Sequence, residues 1–260
     1  MGVFITLRSR KLHCVWTHAG VSTSLLHTTE FLKTCWKNDP EFDKCSTRQV
    51  QEIFDNIQHG FPSLGMMSLE PLHIPEVKLL QGGDGPVSLN ASMVDVKVTG
   101  LSKVTIICNK VNFETYGFTT ELQIPRLRIE GVYTLNGKIL VLPLTGHGDA
   151  WLEPEDLDIM AYVDVTRREE DGVQFFKINK VGVQFTIGKL ALRLNNLYNG
   201  LKTLEDSTNE YLNKNWRPVA DSLKPILSRT VSDILLDILS KVFDNIPAKY
   251  FLGDLENTPL

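Results

Sequence analysis

The sequence predicts an α+β fold in which a strongly curved antiparallel β-sheet wraps a long carboxy-terminal helix. Three observations carry that prediction. Between Leu204 and Phe243, apolar residues such as Leu212, Val219, Ile226, Ile234, Ile238 and Val242 recur three or four apart, the period of one helix face. From about Ser88 to Leu194 the period falls to two, as where Val94, Val96 and Val98 alternate with Asp95, Lys97 and Thr99. No linker divides the chain, and the helix is the one large apolar surface left to cover the dry face of the sheet. A continuous helix of that length would span roughly 60 Å at about 1.5 Å per residue, too long for a compact globule unless the sheet curls around it.

The chain has 260 residues, 42% of them hydrophobic, enough for one large domain. With a formal net charge of -4 and Lys and Arg scattered singly, it lacks the basic block of a sequence-independent nucleic-acid binder. No stretch reaches the eighteen or so apolar residues of a transmembrane helix, so stable membrane insertion is not expected.

Taken in order, residues 1–30 hold a basic cluster (Arg8, Arg10, Lys11) and then an uncharged stretch interrupted by His13, His18 and His27, a poor imitation of a secretory signal. Cys14 has no evident place. Cys35 and Cys45 flank an Asn-Asp-Pro turn and are a candidate disulfide, whereas Cys108 in Val-Thr-Ile-Ile-Cys has the setting of a small core hydrophobe. Ser46-Thr-Arg-Gln49 is a capping box opening a short helix whose Val50, Ile53, Phe54 and Ile57 share a face and whose stop is Gly60. Proline-punctuated, extended chain follows through Pro75, and Gly82-Gly-Asp-Gly-Pro86 is a loop without the Lys-Ser/Thr ending of a phosphate cradle.

In the sheet, Asn136-Gly137 predicts a two-residue hairpin turn that places Tyr133 opposite Leu140, Gly131 opposite Leu142 and Ile129 opposite Leu144. Leu127 shares that dry face, while Arg128, Glu130 and Thr134 form the wet one. Asp171-Gly172 joins two further strands, and successive strands on short turns make a meander. In the helix, Pro218 and Pro225 each remove an amide donor and predict a kink or break nearby.

These residues resemble the insect takeout and juvenile hormone-binding protein family. The matching stretches are the Cys35 and Cys45 pair, Gly60-Phe-Pro-Ser-Leu-Gly65 running to Leu69-Glu-Pro-Leu-His-Ile-Pro75, Gly131 to Pro143 with Gly146-His-Gly148, Asn196-Leu-Tyr-Asn-Gly200, and Leu212-Asn-Lys-Asn-Trp216. The resemblance covers roughly residues 31–252, between an ill-defined segment 1–30 and a tail 253–260. It implies an apolar tunnel between sheet and helix, secretion, and non-covalent carriage of a terpenoid, fatty acid or other long-chain lipid, with circadian, feeding or chemosensory physiology attached. The amino terminus departs from the clean signal peptide with which that family opens.

No Gly-x-Ser-x-Gly elbow is present, His147 sits in a glycine turn, and His59 and His73 lack spaced partners for a metal, so neither an enzyme nor a cofactor is expected. The alternatives from other classes are a lipid-ester-processing enzyme and a lipid or membrane-surface binder of the same broad fold; the latter calls for a basic tip that the sequence lacks. The expected partner is one hydrophobic small molecule on a monomer. Candidate tunnel-lining residues are Leu69, Leu72, Ile74, Tyr116, Leu127, Ile129, Tyr133, Leu140, Leu142, Trp216, Leu227, Ile234 and Ile238, with Tyr116 and Tyr133 as hydroxyl donors. Asn90-Ala-Ser92 is a glycosylation pattern in a secreted chain.

Overall fold

The computed structural model describes residues 32–60, 68–83 and 85–257. The expectations for the amino-terminal segment, for Cys14 and for Phe61 to Gly65 lie outside these residues. The elements, in chain order, are α1 (Phe42–Ile57), β1 (Leu72–Gln81), β2 (Val87–Thr99), β3 (Thr105–Val111), β4 (Phe118–Arg126), β5 (Arg128–Ile139), β6 (Leu142–Glu170), β7 (Val173–Leu194), α2 (Lys202–Lys214) and α3 (Trp216–Asn245).

All strand pairings in the sheet are antiparallel, and they form a meander of composite strands. Only Leu127 separates β4 from β5, and the two run end to end along β6, from Phe118↔Val163 to Ile139↔Leu142. β2 and β3 run end to end along the other side of that path, interrupted by a 3-10 turn at Leu101–Lys103. The interruptions share one level. A Cβ at Gly100, whose φ is +103°, would lie 2.3 Å from the Arg126 carbonyl oxygen, and the next residue, Leu127, donates its N–H to Pro154 at 3.0 Å. Glycine is required there by the close approach of the neighbouring backbone.

The sheet is curled but not closed. β1, β3 and β7 are edge strands; α1 packs along β3, and α3 packs along β7 while also meeting β1. Bulges at Val94/Lys97, Ile106/Cys108 and Asp164/Val165 bend their strands, as extra residues do. They also reverse the alternation. Val94 is exposed although Val96 and Val98 are buried, and Cys108, expected in the core, is a half-buried free thiol because the extra residue at Ile107 changes which side it faces.

The hairpin expectation is half corrected. The faces are as anticipated, with Tyr133 and Leu135 buried and Thr134 exposed. The register is not. β5 continues through Asn136-Gly137 and turns at Leu140-Val141, so that Tyr133 faces Gly148 and Ile129 faces Leu152. The cause is β2 on the other edge, which pairs with β5 as far as Val87↔Ile139 and passes so close that a Cβ at Gly137 would lie 2.2 Å from the Ser88 oxygen. Additional ladder pairs on both edges outweigh a local turn preference. Asp171-Gly172, with no third strand beside it, does turn, both residues having positive φ.

The single long helix is two. It breaks at Asn215, with φ -110° and ψ 29°, so that Pro218 falls in the first turn of α3, where its missing N–H is of no consequence. Pro225 lies inside α3. α1 also begins a turn earlier than expected, at Phe42, so Ser46 and Gln49 are interior helix residues and do not cap it. Gly60, φ +77°, follows its end as anticipated. Residues 253–257, expected as tail, form a 3-10 turn whose Leu255 is buried in the core.

Candidate binding cavity

An apolar cavity of about 280 Å3 lies between the sheet and the helices at the end of the molecule where α1 and the carboxy terminus meet. Its wall is drawn from five directions: Phe42, Ile53 and Phe54 from α1; Val111, Phe118 and Leu122 from β3 and β4; Val165 and Val183 from β6 and β7; Ile234, Leu235 and Ile238 from α3; and Phe251 beyond it. Alternation on the strands and the i, i+3, i+4 spacing on the helices bring these side chains to one space. An aromatic cluster packs at this end, with Phe243 central, its ring centre 4.7 Å from Phe251 and 5.9 Å from Phe118.

This end is closed by more than apolar contact. Cys35 and Cys45 form a disulfide that pins the chain before α1 onto the helix. Cys35 accepts an N–H bond from Gly253 at 2.9 Å, and Gln49 Nε2 donates to the carbonyls of Lys33 and Tyr250 at 3.0 and 3.1 Å. Both ends of the described chain are thereby tied to α1.

Charge is absent from the wall. Among the described residues, its polar members are Ser46, Gln49, Asn109 and Tyr116, and no Asp, Glu, Lys, Arg or His lines it. A second hollow, about 310 Å3, adjoins it between the β1 edge and α3. It shares Leu69, Leu72, Ile234 and Ile238 with the first and adds Ile74 and Pro75 together with the polar His73, Asp233, Asp237 and Lys241.

The structure thus brings five of the sequence candidates, Leu69, Leu72, Tyr116, Ile234 and Ile238, to the cavity wall, and Ile74 to the adjoining hollow. The others lie elsewhere. Leu127 and Ile129 pack against the core from the sheet, and Leu140 and Leu142 pack into a separate cluster at the opposite end. Leu227 is half-buried on α3, and Trp216 lies at its start with the Arg217 guanidinium 4.9 Å from its ring. Tyr133 is a clamp in the opposite end, its hydroxyl donating to the Asn195 carbonyl at 2.8 Å. Burial pushes that phenol up to about 12, with Glu205 and Tyr198 adding to the effect. Gly146 makes room for it, since a Cβ there would sit 2.6 Å from the hydroxyl.

His147 is exposed, 2.9 Å from Thr134 Oγ1. Ser46, Gln49 and Asn109 went unrecognised as wall residues. Ser46 and Gln49 have the spacing of a cap, and strict alternation puts Asn109 on the wrong side of the strand. The available signal was a polar pair on the apolar face of α1.

Comparisons with known proteins agree with this architecture. The family described as haemolymph juvenile hormone binding protein (JHBP) matches residues 13–253. The circadian clock-controlled protein daywake of Drosophila melanogaster is 25% identical over 228 residues, 85% of this chain and 86% of that protein. Daywake of Drosophila yakuba is 24% identical over 217 residues, 80% and 83%. The crystal structure of Epiphyas postvittana Takeout 1 superposes with a TM-score of 0.73 at 23% identity, covering 85% of this chain and 99% of that one, and so shares the fold. With the family match spanning nearly the whole chain, the protein belongs to the takeout and haemolymph juvenile hormone binding protein family, a family of hydrophobic-ligand carriers.

Proposed function

We propose that the protein is an extracellular, non-catalytic, monomeric carrier that holds one hydrophobic small molecule, of terpenoid or long-chain lipid type, in the cavity beside α1. The observation that supports this most is an uncharged apolar space at the lower end of the size range of ligand sites. A ligand burying about 400 Å2 of apolar surface would gain on the order of 10 kcal/mol before association costs. Such a molecule needs no chemistry from its container, and no groups of three or more His, Cys, Asp or Glu are arranged to hold a metal among the described residues. The disulfide and the exposed Asn90 on the outer face of β2 fit an extracellular chain. The clock control named in the daywake relatives makes a rhythmic physiological role the first to examine.

The test is displacement of an apolar fluorescent probe, followed by native mass spectrometry of protein from its own tissue. A carrier takes up the probe at one site and returns labelled lipid esters intact. Hydrolysed esters would favour the enzyme alternative, and failure to bind any apolar probe would end the carrier reading.

A further inference from the structure

Asn90-Ala-Ser92 is the single Asn-x-Ser/Thr pattern in the sequence, and the fold sets it far from the cavity, on open ground. β2 turns Val87 and Leu89 into the core, so Asn90 is exposed on the outer face of the sheet, and Ser92, two residues on, shares that face. Its ladder partners are Leu80 on one side and Asn136 on the other, and Asn136 pairs in turn with Thr145. With Ser88, Ser92 and Thr134 in the adjoining rungs, the surface around Asn90 is built largely of short polar side chains over which a bulky, hydrated substituent can lie.

Leu80 is the anomaly beside it. Its side chain is 63% exposed near the end of β1, an edge strand with no strand on its outer side among the described residues. Unpaired edges invite pairing with another chain, and proline and charge are the usual guards. The earlier part of β1 has both: Pro75, then Glu76 and Lys78, which form an ion pair at 2.9 Å. Leu79-Leu80-Gln81 has neither. Side chains directly across a ladder have Cβ atoms about 4.5 to 5.5 Å apart, so a sugar on Asn90 Nδ2 begins within reach of Leu80.

We propose that Asn90 carries an N-linked glycan, and that its first sugars cover Leu80 and guard the end of the β1 edge that proline and charge leave bare. The glycan does there what Lys78 does further along the strand: it holds water at the edge, and its bulk keeps a second strand from approaching. This rests on the extracellular reading, since only a chain that enters the secretory pathway meets the enzyme that attaches the sugar.

The first material is protein from its own tissue, treated with a glycosidase in 18O-labelled water and then mapped as peptides. The modified asparagine should be converted to 18O-labelled aspartate at position 90, and Cys35 and Cys45 should be found bridged. Unmodified Asn90 in protein with that bridge overturns the glycan and leaves the extracellular reading standing. Unmodified Asn90 with both thiols reduced defeats the extracellular reading, and the proposal with it. The second half is tested on the full chain exported from insect cells. Ser92→Ala keeps the asparagine but removes the hydroxyl that the pattern requires, so the variant should be exported without sugar and should self-associate, by light scattering, at concentrations where the wild type is a single species. Leu80→Lys in the same background should abolish that association. Enzymatic removal of the glycan from wild type that has already folded should reproduce it, which separates lost cover from failed folding. Bare protein that stays as dispersed as the glycosylated form overturns the shielding role, and association that Leu80→Lys does not cure overturns it too, by placing the adhesive surface elsewhere.

Discussion

The two ends of the molecule are made by the same composite strands and are filled in opposite ways. At the end built from β5, the start of β6 and α2, side chains close the space: Leu144 is 2% exposed, Leu197 0% and Leu212 3%. The helix there is stitched to the free edge of β7. Asn209 both accepts from the Leu194 N–H and donates to its carbonyl, at 2.8 and 2.9 Å, and Asn213 does the same for Leu192, at 3.0 and 2.8 Å. Two asparagines one helical turn apart thus imitate a neighbouring strand and satisfy the edge. At the other end α3 meets that same strand, among the described residues, through one side-chain hydrogen bond, Ser232 Oγ accepting from Val183 N–H at 3.0 Å, through Lys224 over the Phe185 ring, and through apolar contact around a void. The contrast teaches where stability and function are separated. The filled end holds the curl of the sheet, and the hollow end is free to be occupied.

That comparison breaks most readily at the filled end. Leu144→Ala should cost about 2 to 5 kcal/mol, since it opens a hole in a packed cluster without altering the void at the far end. Denaturant unfolding measures the loss, and probe affinity below the transition should stay within twofold. A drop in affinity to match the stability would show the two ends to be one unit.

Next in size is the disulfide. Replacing Cys35 and Cys45 by Ser should cost about 2 to 4 kcal/mol in the chain-entropy account. Because Cys35 also anchors Gly253 and the core contacts of Leu252, the hollow end should loosen and probe dissociation should quicken. Stopped-flow release by the double variant tests this, and release at the parent rate would mean that the disulfide does not seal the cavity.

Glu70 joins the two regimes, because its carboxylate accepts the N–H groups of Gly100 and Ser102 at the level where the composite strands break. Burial raises its pKa, but the hydrogen bonds from Ser102 and Gly100 more than offset that and leave it below 4.5. A carboxyl depressed in the folded state contributes stability that is fully present above its unfolded value and is lost as pH falls through the folded one. Glu70→Gln should therefore cost about 1 to 2 kcal/mol at pH 7, a difference that shrinks below pH 4.5. Unfolding curves of both proteins from pH 7 to pH 3 check the sign; a gap that widens on acidification would contradict it.

What the sequence made legible follows the same division. Period counting identified the faces of the strands and the helix, because inside and outside are set by hydrophobicity alone. It failed wherever a neighbour overruled the local chain. Asp171-Gly172 turns and Asn136-Gly137 does not, and the difference is β2, which presses on one and is absent from the other. Val94 and Cys108 fell on the wrong sides because a bulge leaves no mark in a pattern of alternation. Ser46 and Gln49 resemble a cap in every respect except that the helix has already begun. Of the binding candidates, Leu69, Leu72, Tyr116, Ile234 and Ile238 reached the wall, whereas Tyr133, Leu140 and Leu142 belong to the filled end, which one apolar face continuous along the sheet cannot distinguish from the hollow one.

The smallest expected change in stability carries the most direct test of function. Ile234 lies on α3, on the wall shared by the cavity and the hollow beside β1. In a filled core, Ile234→Trp would cost about 1 to 3 kcal/mol through overpacking, but a side chain that grows into empty space meets nothing to displace. The melting temperature should therefore shift by no more than about 2 °C, which corresponds to about 1 kcal/mol or less in a chain of this size. Binding should suffer far more. The indole would occupy space that the probe needs, and affinity should fall by at least tenfold. The same substitution at Leu144 gives the control, since there a Trp has no void to enter and should unfold the protein before binding can be measured. If Ile234→Trp instead lowers the melting temperature as Leu144→Trp does while the probe still binds, the void is not where the ligand goes, and the hollow end is a packing defect of the fold.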